Sequence, residues 1–127
     1  MSKNCLELYK SGTFYNIYGD DGLIIHKLMG YKYIEYKKSV GFPAVALDKV
    51  KNILEDNKIS YVILDKKDVL SEYKGIDNMY DKALASALKD YDIEKRSSRL
   101  LEIVNNCNEE ELKSIFEFIE GLKNGEK

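Results

Sequence analysis

Apolar and polar positions change their period along the chain, and each period predicts an element. Residues 13–18, Thr-Phe-Tyr-Asn-Ile-Tyr, are β-prone and closed by Gly19, which predicts a first strand. Leu23, Ile24, Leu28 and Met29 then recur at helical spacing and Gly30 follows them, so a short helix over 21–29 with a glycine stop is expected. Asp20 and Asp21 stand where carboxylates cap such a helix. Residues 31–37 alternate, with Tyr31, Tyr33 and Glu35 on one side and Lys32, Ile34 and Tyr36 on the other, the pattern of a second strand.

A short extended piece, Val40-Gly41-Phe42, leads into Pro43, the only proline and suited to the first turn of a helix. Val45, Leu47, Val50, Ile53 and Leu54 supply the apolar stripe of that helix, opposite Asp48, Lys49, Lys51, Asn52 and Glu55. Residues 59–64, Ile-Ser-Tyr-Val-Ile-Leu, form a β-branched block of buried-strand length. Strand, helix, strand, helix, strand predicts a compact α/β or α+β unit ending near Asp65.

From Asn78 onward the spacing is helical throughout: Tyr80, Leu84, Leu88 and Tyr91, then Ile93, Leu100, Leu101 and Val104, then Leu112, Ile115, Phe116, Ile119 and Leu122. Two or three helices are expected, the last opened by Asn108 with Glu111 three residues on, a capping-box pair. Ile115, Phe116, Phe118, Ile119 and Leu122 make its apolar face wide. Such a face covers the α/β unit, packs on the preceding helix or meets another subunit, and a homodimer or a partner protein bound through these helices is expected. The expected division is an α/β domain over 1–66 and a helical extension over 67–127.

Composition narrows the function classes. The 127 residues, 44% hydrophobic and 33% charged, suit one packed core and a soluble globular class. No apolar run approaches the roughly 18 residues of a membrane span, and residues 1–5 lack a signal-peptide core, so a cytoplasmic location is expected. Cys5 and Cys107 allow one bridge at most and read as reduced thiols. His26 is the single histidine, which removes most zinc and Ser-His-Asp designs; it reads as an ordinary half-buried or exposed residue. Net charge is −2, yet residues 1–64 hold nine Lys against seven Asp and Glu, whereas residues 65–127 hold eleven Lys and Arg against fifteen. An anion would therefore meet the first half.

No phosphate loop, dinucleotide fingerprint, Cys-x-x-Cys or nucleophile elbow occurs, so no catalytic residue, metal or cofactor is expected and the chain does not read as an enzyme. Phe14, Tyr15, Tyr18, Tyr31, Tyr33 and Tyr36 are interleaved with Lys10, Lys27, Lys32, Lys37 and Lys38. Aromatic faces for stacking beside lysines for phosphate are what a nucleic-acid surface needs. The same residues also suit the core and sheet surface of a lysine-rich protein, and composition leaves both readings open.

The order of residues adds a resemblance. Gly12-Thr13-Phe14-Tyr15-Asn16-Ile17-Tyr18-Gly19-Asp20-Asp21-Gly22 resembles, without a gap, the Gly-Asp-Phe-Tyr-Glu-x-Phe-x-x-Asp-Ala signature of the N-terminal mismatch-recognition domain of the MutS family of DNA mismatch repair proteins. Val40-Gly41-Phe42-Pro43 resembles that family's Gly-x-Pro stretch, which opens a helix followed by a hydrophobic strand, here 44–57 and 59–64. The resemblance covers about residues 10–66. It implies an α+β fold, a small mixed β-sheet flanked by helices, here followed by an α-helical C-terminal tail.

In that family a phenylalanine wedges into the minor groove at a mispair and a glutamate two residues on hydrogen-bonds the base. By position Phe14 matches the wedge and Asn16 the glutamate; Tyr15, Lys10 and Lys32 join them as expected nucleic-acid contacts. Two departures stand out: Thr13 replaces the motif's first aspartate, and the Asn16 amide donates and accepts hydrogen bonds but carries no charge. The family's clamp, lever and ATPase parts have no counterpart in these residues. The resemblance thus implies a non-enzymatic DNA-binding protein that senses mispaired or distorted double-stranded DNA. The alternative is a protein-protein interaction module that kept the fold without DNA binding.

Overall fold

The computed structural model describes residues 4–125. In chain order these form β1 (Leu6–Ser11), β2 (Phe14–Tyr18), α1 (Gly19–Met29), β3 (Ser39–Pro43), a 3-10 turn (Ala44–Ala46), α2 (Leu47–Asp56), β4 (Tyr61–Asp65), β5 (Asp68–Tyr73), α3 (Met79–Asn105) and α4 (Glu109–Gly125). The strands make one sheet in the order β3-β2-β1-β4-β5. β1 and β4 are parallel and every other neighbour is antiparallel, so the protein is α+β with a mixed sheet, flanking helices and helices at the C-terminal end.

Contacts divide the chain after Tyr91, not after residue 66. The sheet gains β5 beyond residue 66, and the first half of α3 contributes Tyr80 and Ala87 to the core of the sheet unit. In that unit the apolar residues alternate along the strands, Leu6 and Leu8, Tyr15 and Ile17, Val40 and Phe42, Tyr61 and Ile63, and all of them are buried. Ile24 and Ile25 of α1 and Val50 and Leu54 of α2 belong to the same cluster. α1 ends on Gly30 at φ 75°, the left-handed cap that glycine adopts without strain.

Three local expectations are corrected. Residues 31–33 are irregular and 35–38 form a turn, with the single bridge Ile34 to Ser39, because the Tyr31 ring stacks on Phe42 at 5.9 Å and Tyr33 meets Tyr91 at 5.3 Å, and no ladder forms. Val45 falls in the 3-10 turn and is 93% exposed, so the stripe of the following helix begins at Leu47. Asp21 does not cap α1. It is 2% exposed, accepts the Glu7 backbone N–H at 3.0 Å and the Tyr80 hydroxyl at 2.5 Å, and so joins β1, α1 and α3.

The second unit holds the rest of α3, and α4. Asn108 Oδ1 accepts the Glu111 N–H at 2.8 Å while Glu111 Oε1 accepts the Asn108 N–H at 3.1 Å, the reciprocal capping box that opens α4. None of its described residues is buried; only Val104, Cys107 and Ile115 are even half-buried. The wide apolar face of α4 therefore finds no cover within this unit, with Phe116 at 62% and Phe118 at 68% exposure.

Candidate nucleic-acid interface

One face of the sheet is covered by helices and the other is open. Because Tyr15 and Ile17 point into the core, period two turns Phe14, Asn16 and Tyr18 to the open face. Glu7 and Tyr9 of β1 and Val62 and Leu64 of β4 share that face by register, and none of them is buried.

Phe14 begins β2, opposite Ser11 of β1 and Pro43 of β3, and stands 51% exposed. Asn16 follows two residues on, about 7 Å along the strand on the same side. Its neighbour on β3 is Gly41, where a Cβ would come within 3.3 Å of the Asn16 Oδ1. Its neighbour on β1 is Tyr9, whose hydroxyl donates to Glu7 Oε2 at 2.5 Å. That hydrogen bond to a carboxylate, with partial burial, pushes the Tyr9 phenol up to about 12, so a neutral ring stands beside the amide. The Tyr18 ring lies 5.7 Å from that of Tyr9. An exposed ring and an amide thus sit on one rigid strand, the ring for stacking and the amide for hydrogen bonding.

The other expected contacts divide. Tyr15 is 5% exposed and its ring stacks on Phe42 at 5.5 Å, so it belongs to the core and cannot stack on a base; the expectation is corrected. Lys10 is exposed near the end of β1, one residue before the Ser11 that pairs with Phe14. Lys32 is exposed too, but it lies between Tyr31 and Tyr33, whose rings pack on the helix-covered side with Phe42 and Tyr91. The structure therefore sets Lys10 at the Phe14 end of the sheet but on the side of Tyr15, its partner on β2, and brings neither Lys10 nor Lys32 to the open face.

Two lysines were missed. β4 runs parallel to β1 with Tyr9 opposite Leu64, so the turn after Asp65 emerges at the end of the sheet where β1 turns into β2. That turn is Lys66-Lys67, two strands or about 10 Å from β2. Lys66 has φ 58°, a left-handed conformation that a two-residue hairpin demands and that usually falls to Asn or Gly. The Asp-Lys-Lys-Asp run between apolar residues was the available signal. Asp65 and Asp68 pair beside it, so this end carries three lysines and two carboxylates.

A cleft of about 500 Å3 lies at the opposite end of β2, lined by Tyr18, Gly19, Asp20, Asp21, Tyr80, Asp81 and Leu84. Its carboxylates repel phosphate. His26 Nδ1 lies 2.6 Å from the Tyr31 carbonyl oxygen, a structural contact. Cys5 and Cys107 are not joined to each other. Among the described residues no group of three or more His, Cys, Asp or Glu could hold a metal ion, and no helix is long and apolar enough to cross a membrane. No protein-family model matches the chain, and no curated protein matches it significantly.

Proposed function

We propose that the chain is a non-enzymatic DNA-binding protein of the MutS recognition-domain type, which senses mispaired or distorted duplexes with Phe14 as its wedge. The observation that carries this reading is the placement of Phe14: half-exposed, at the start of a central strand, with Asn16 on the same side and Lys10, Lys66 and Lys67 at the same end of the sheet. The ring enters a base step from the minor groove, which is about 6 Å wide, while the lysines contact phosphates beside it. Asn16 meets a base edge as donor or acceptor. Such a protein works in the cytoplasm, and its two thiols suit a reducing compartment.

The test is fluorescence anisotropy with matched, mismatched and bulged duplexes at two salt concentrations. Tighter binding to the distorted duplexes is expected, with affinity falling as salt rises in proportion to two or three phosphate contacts, a slope of about −2 to −3 in log-log form. A parent protein that binds none of the three at low salt ends this reading.

A second reading is favoured by the acidic cleft and by Glu7 on the open face: an interaction module that kept the fold and takes a basic protein segment. It expects no duplex binding and no effect of Phe14 on nucleic acid.

A further inference from the structure

Gly41 stands in the middle of β3 with no backbone reason to be glycine. Its φ lies outside the left-handed region, and its neighbours Val40 and Phe42 turn into the core as they do in any strand. Glycine is a poor strand former, and inside a strand it often marks a place where another group must come close.

That group is the Asn16 amide. Asn16 pairs with Gly41 on one side and with Tyr9 on the other, so its side chain lies in a slot between a missing side chain and a ring. The Tyr9 hydroxyl is tied to Glu7, which fixes the ring side of the slot. A Cβ on Gly41 would stand 3.3 Å from Asn16 Oδ1, closer than relaxed contact, and the amide would have to swing out of the slot. The amide is also unspent. Although half-buried, the Asn16 side chain makes no hydrogen bond among the described residues, so its two donors and its acceptor stay open on the strand and face that carry the exposed Phe14 ring.

We propose that Gly41 is a positioning residue for base readout: its missing side chain fixes the Asn16 amide in the slot, aimed at a base edge beside the Phe14 ring. In the minor groove every base pair offers acceptors and guanine adds a donor, and one amide can meet either. An amide already held in place meets that edge without first losing rotamer freedom.

The inference rests on the DNA-binding reading above and is tested beside it. Fluorescence anisotropy compares the parent, Gly41→Ala, Asn16→Ala and the double variant on matched and mismatched duplexes, and urea denaturation follows the fold. Gly41→Ala is expected to weaken binding to the mismatched duplex roughly 2- to 10-fold, the loss of one hydrogen bond, and to narrow its preference over the matched one. Its urea midpoint is expected to equal or exceed the parent's, since alanine serves a strand at least as well as glycine. In the Asn16→Ala background the same substitution is expected to change nothing further, because the group it displaces is gone.

Gly41→Ala binding as the parent does, a loss that persists in full in the Asn16→Ala background, or a midpoint that falls together with binding overturns the proposal. A parent that binds no duplex ends the DNA-binding reading and this inference with it, whereas binding that depends on Phe14 and not on Gly41 ends the inference alone.

Discussion

The Tyr80 hydroxyl donates to Asp21 at 2.5 Å across 59 positions of sequence, and both side chains are buried. The second carboxylate oxygen of Asp21 takes the Glu7 N–H, so a single aspartate satisfies a strand donor and anchors the start of α3. The main strand-helix contacts of the sheet unit are local in sequence; this one ties its last helix to its first.

Removing one donor from a buried carboxylate leaves it less solvated than in the unfolded chain. Tyr80→Phe is expected to cost about 1.5–3 kcal/mol, the range for a hydrogen bond to a charged group. Urea denaturation followed by far-UV circular dichroism measures it. A midpoint unchanged from the parent would show that Asp21 does not depend on α3.

Three phenols are held protonated by the fold. Burial and then the Asp21 hydrogen bond raise Tyr80, burial and then the Glu55 hydrogen bond raise Tyr61, and the Glu7 hydrogen bond raises Tyr9 to about 12. A raised folded value means the native state keeps a proton that the unfolded chain releases near pH 10. Stability is therefore fully present below about pH 10 and falls as pH rises toward the folded values. Urea midpoints at pH 8 and pH 11 should show the drop, and absorbance at 295 nm should show these tyrosines ionising late.

Gly75 lies where β5 leaves the sheet. Its N–H donates to Ser60 Oγ at 2.8 Å, and a Cβ there would stand 2.0 Å from the Lys58 carbonyl oxygen. Backbone atoms cannot give way as a side chain can. Gly75→Ala is expected to lower stability by about 1–3 kcal/mol, the range for forced overpacking, and a thermal melt reads it directly.

What could be read from the sequence followed locality. The capping box was readable because Asn108 and Glu111 lie within one turn, and the helix over 21–29 because its stripe and Gly30 are contiguous. Residues 31–37 misled because their alternation is met by ring partners 11 and 58 positions away, Phe42 and Tyr91, which no window contains. β5 gave no periodic signal: it is an edge strand without a buried residue. β1 was passed over although Leu6 and Leu8 alternate, since its polar half, Tyr-Lys-Ser, reads as loop. At the candidate interface, Phe14 and Asn16 were singled out by resemblance, but the parity that turns Tyr15 inward needed a register. Lys66 and Lys67 were beyond local reading, because the parallel pairing of β1 with β4 is what carries them to that end.

Phe14 and Tyr15 are adjacent and predict opposite outcomes. Phe14 is half-exposed on the open face, so Phe14→Ala removes little packing and is expected to change stability by under about 1 kcal/mol. Tyr15 is stacked on Phe42 in the core, and Tyr15→Ala leaves a cavity costing about 3–5 kcal/mol. Binding runs the other way. A wedge ring stacking on a base contributes on the order of 1–3 kcal/mol, so Phe14→Ala is expected to weaken binding to a mismatched duplex roughly 5- to 150-fold at an unchanged melting temperature. Tyr15→Phe should bind as the parent does, because the ring that it keeps never leaves the core. A Phe14→Ala chain that binds the mismatched duplex as tightly as the parent would remove the wedge while leaving the fold intact.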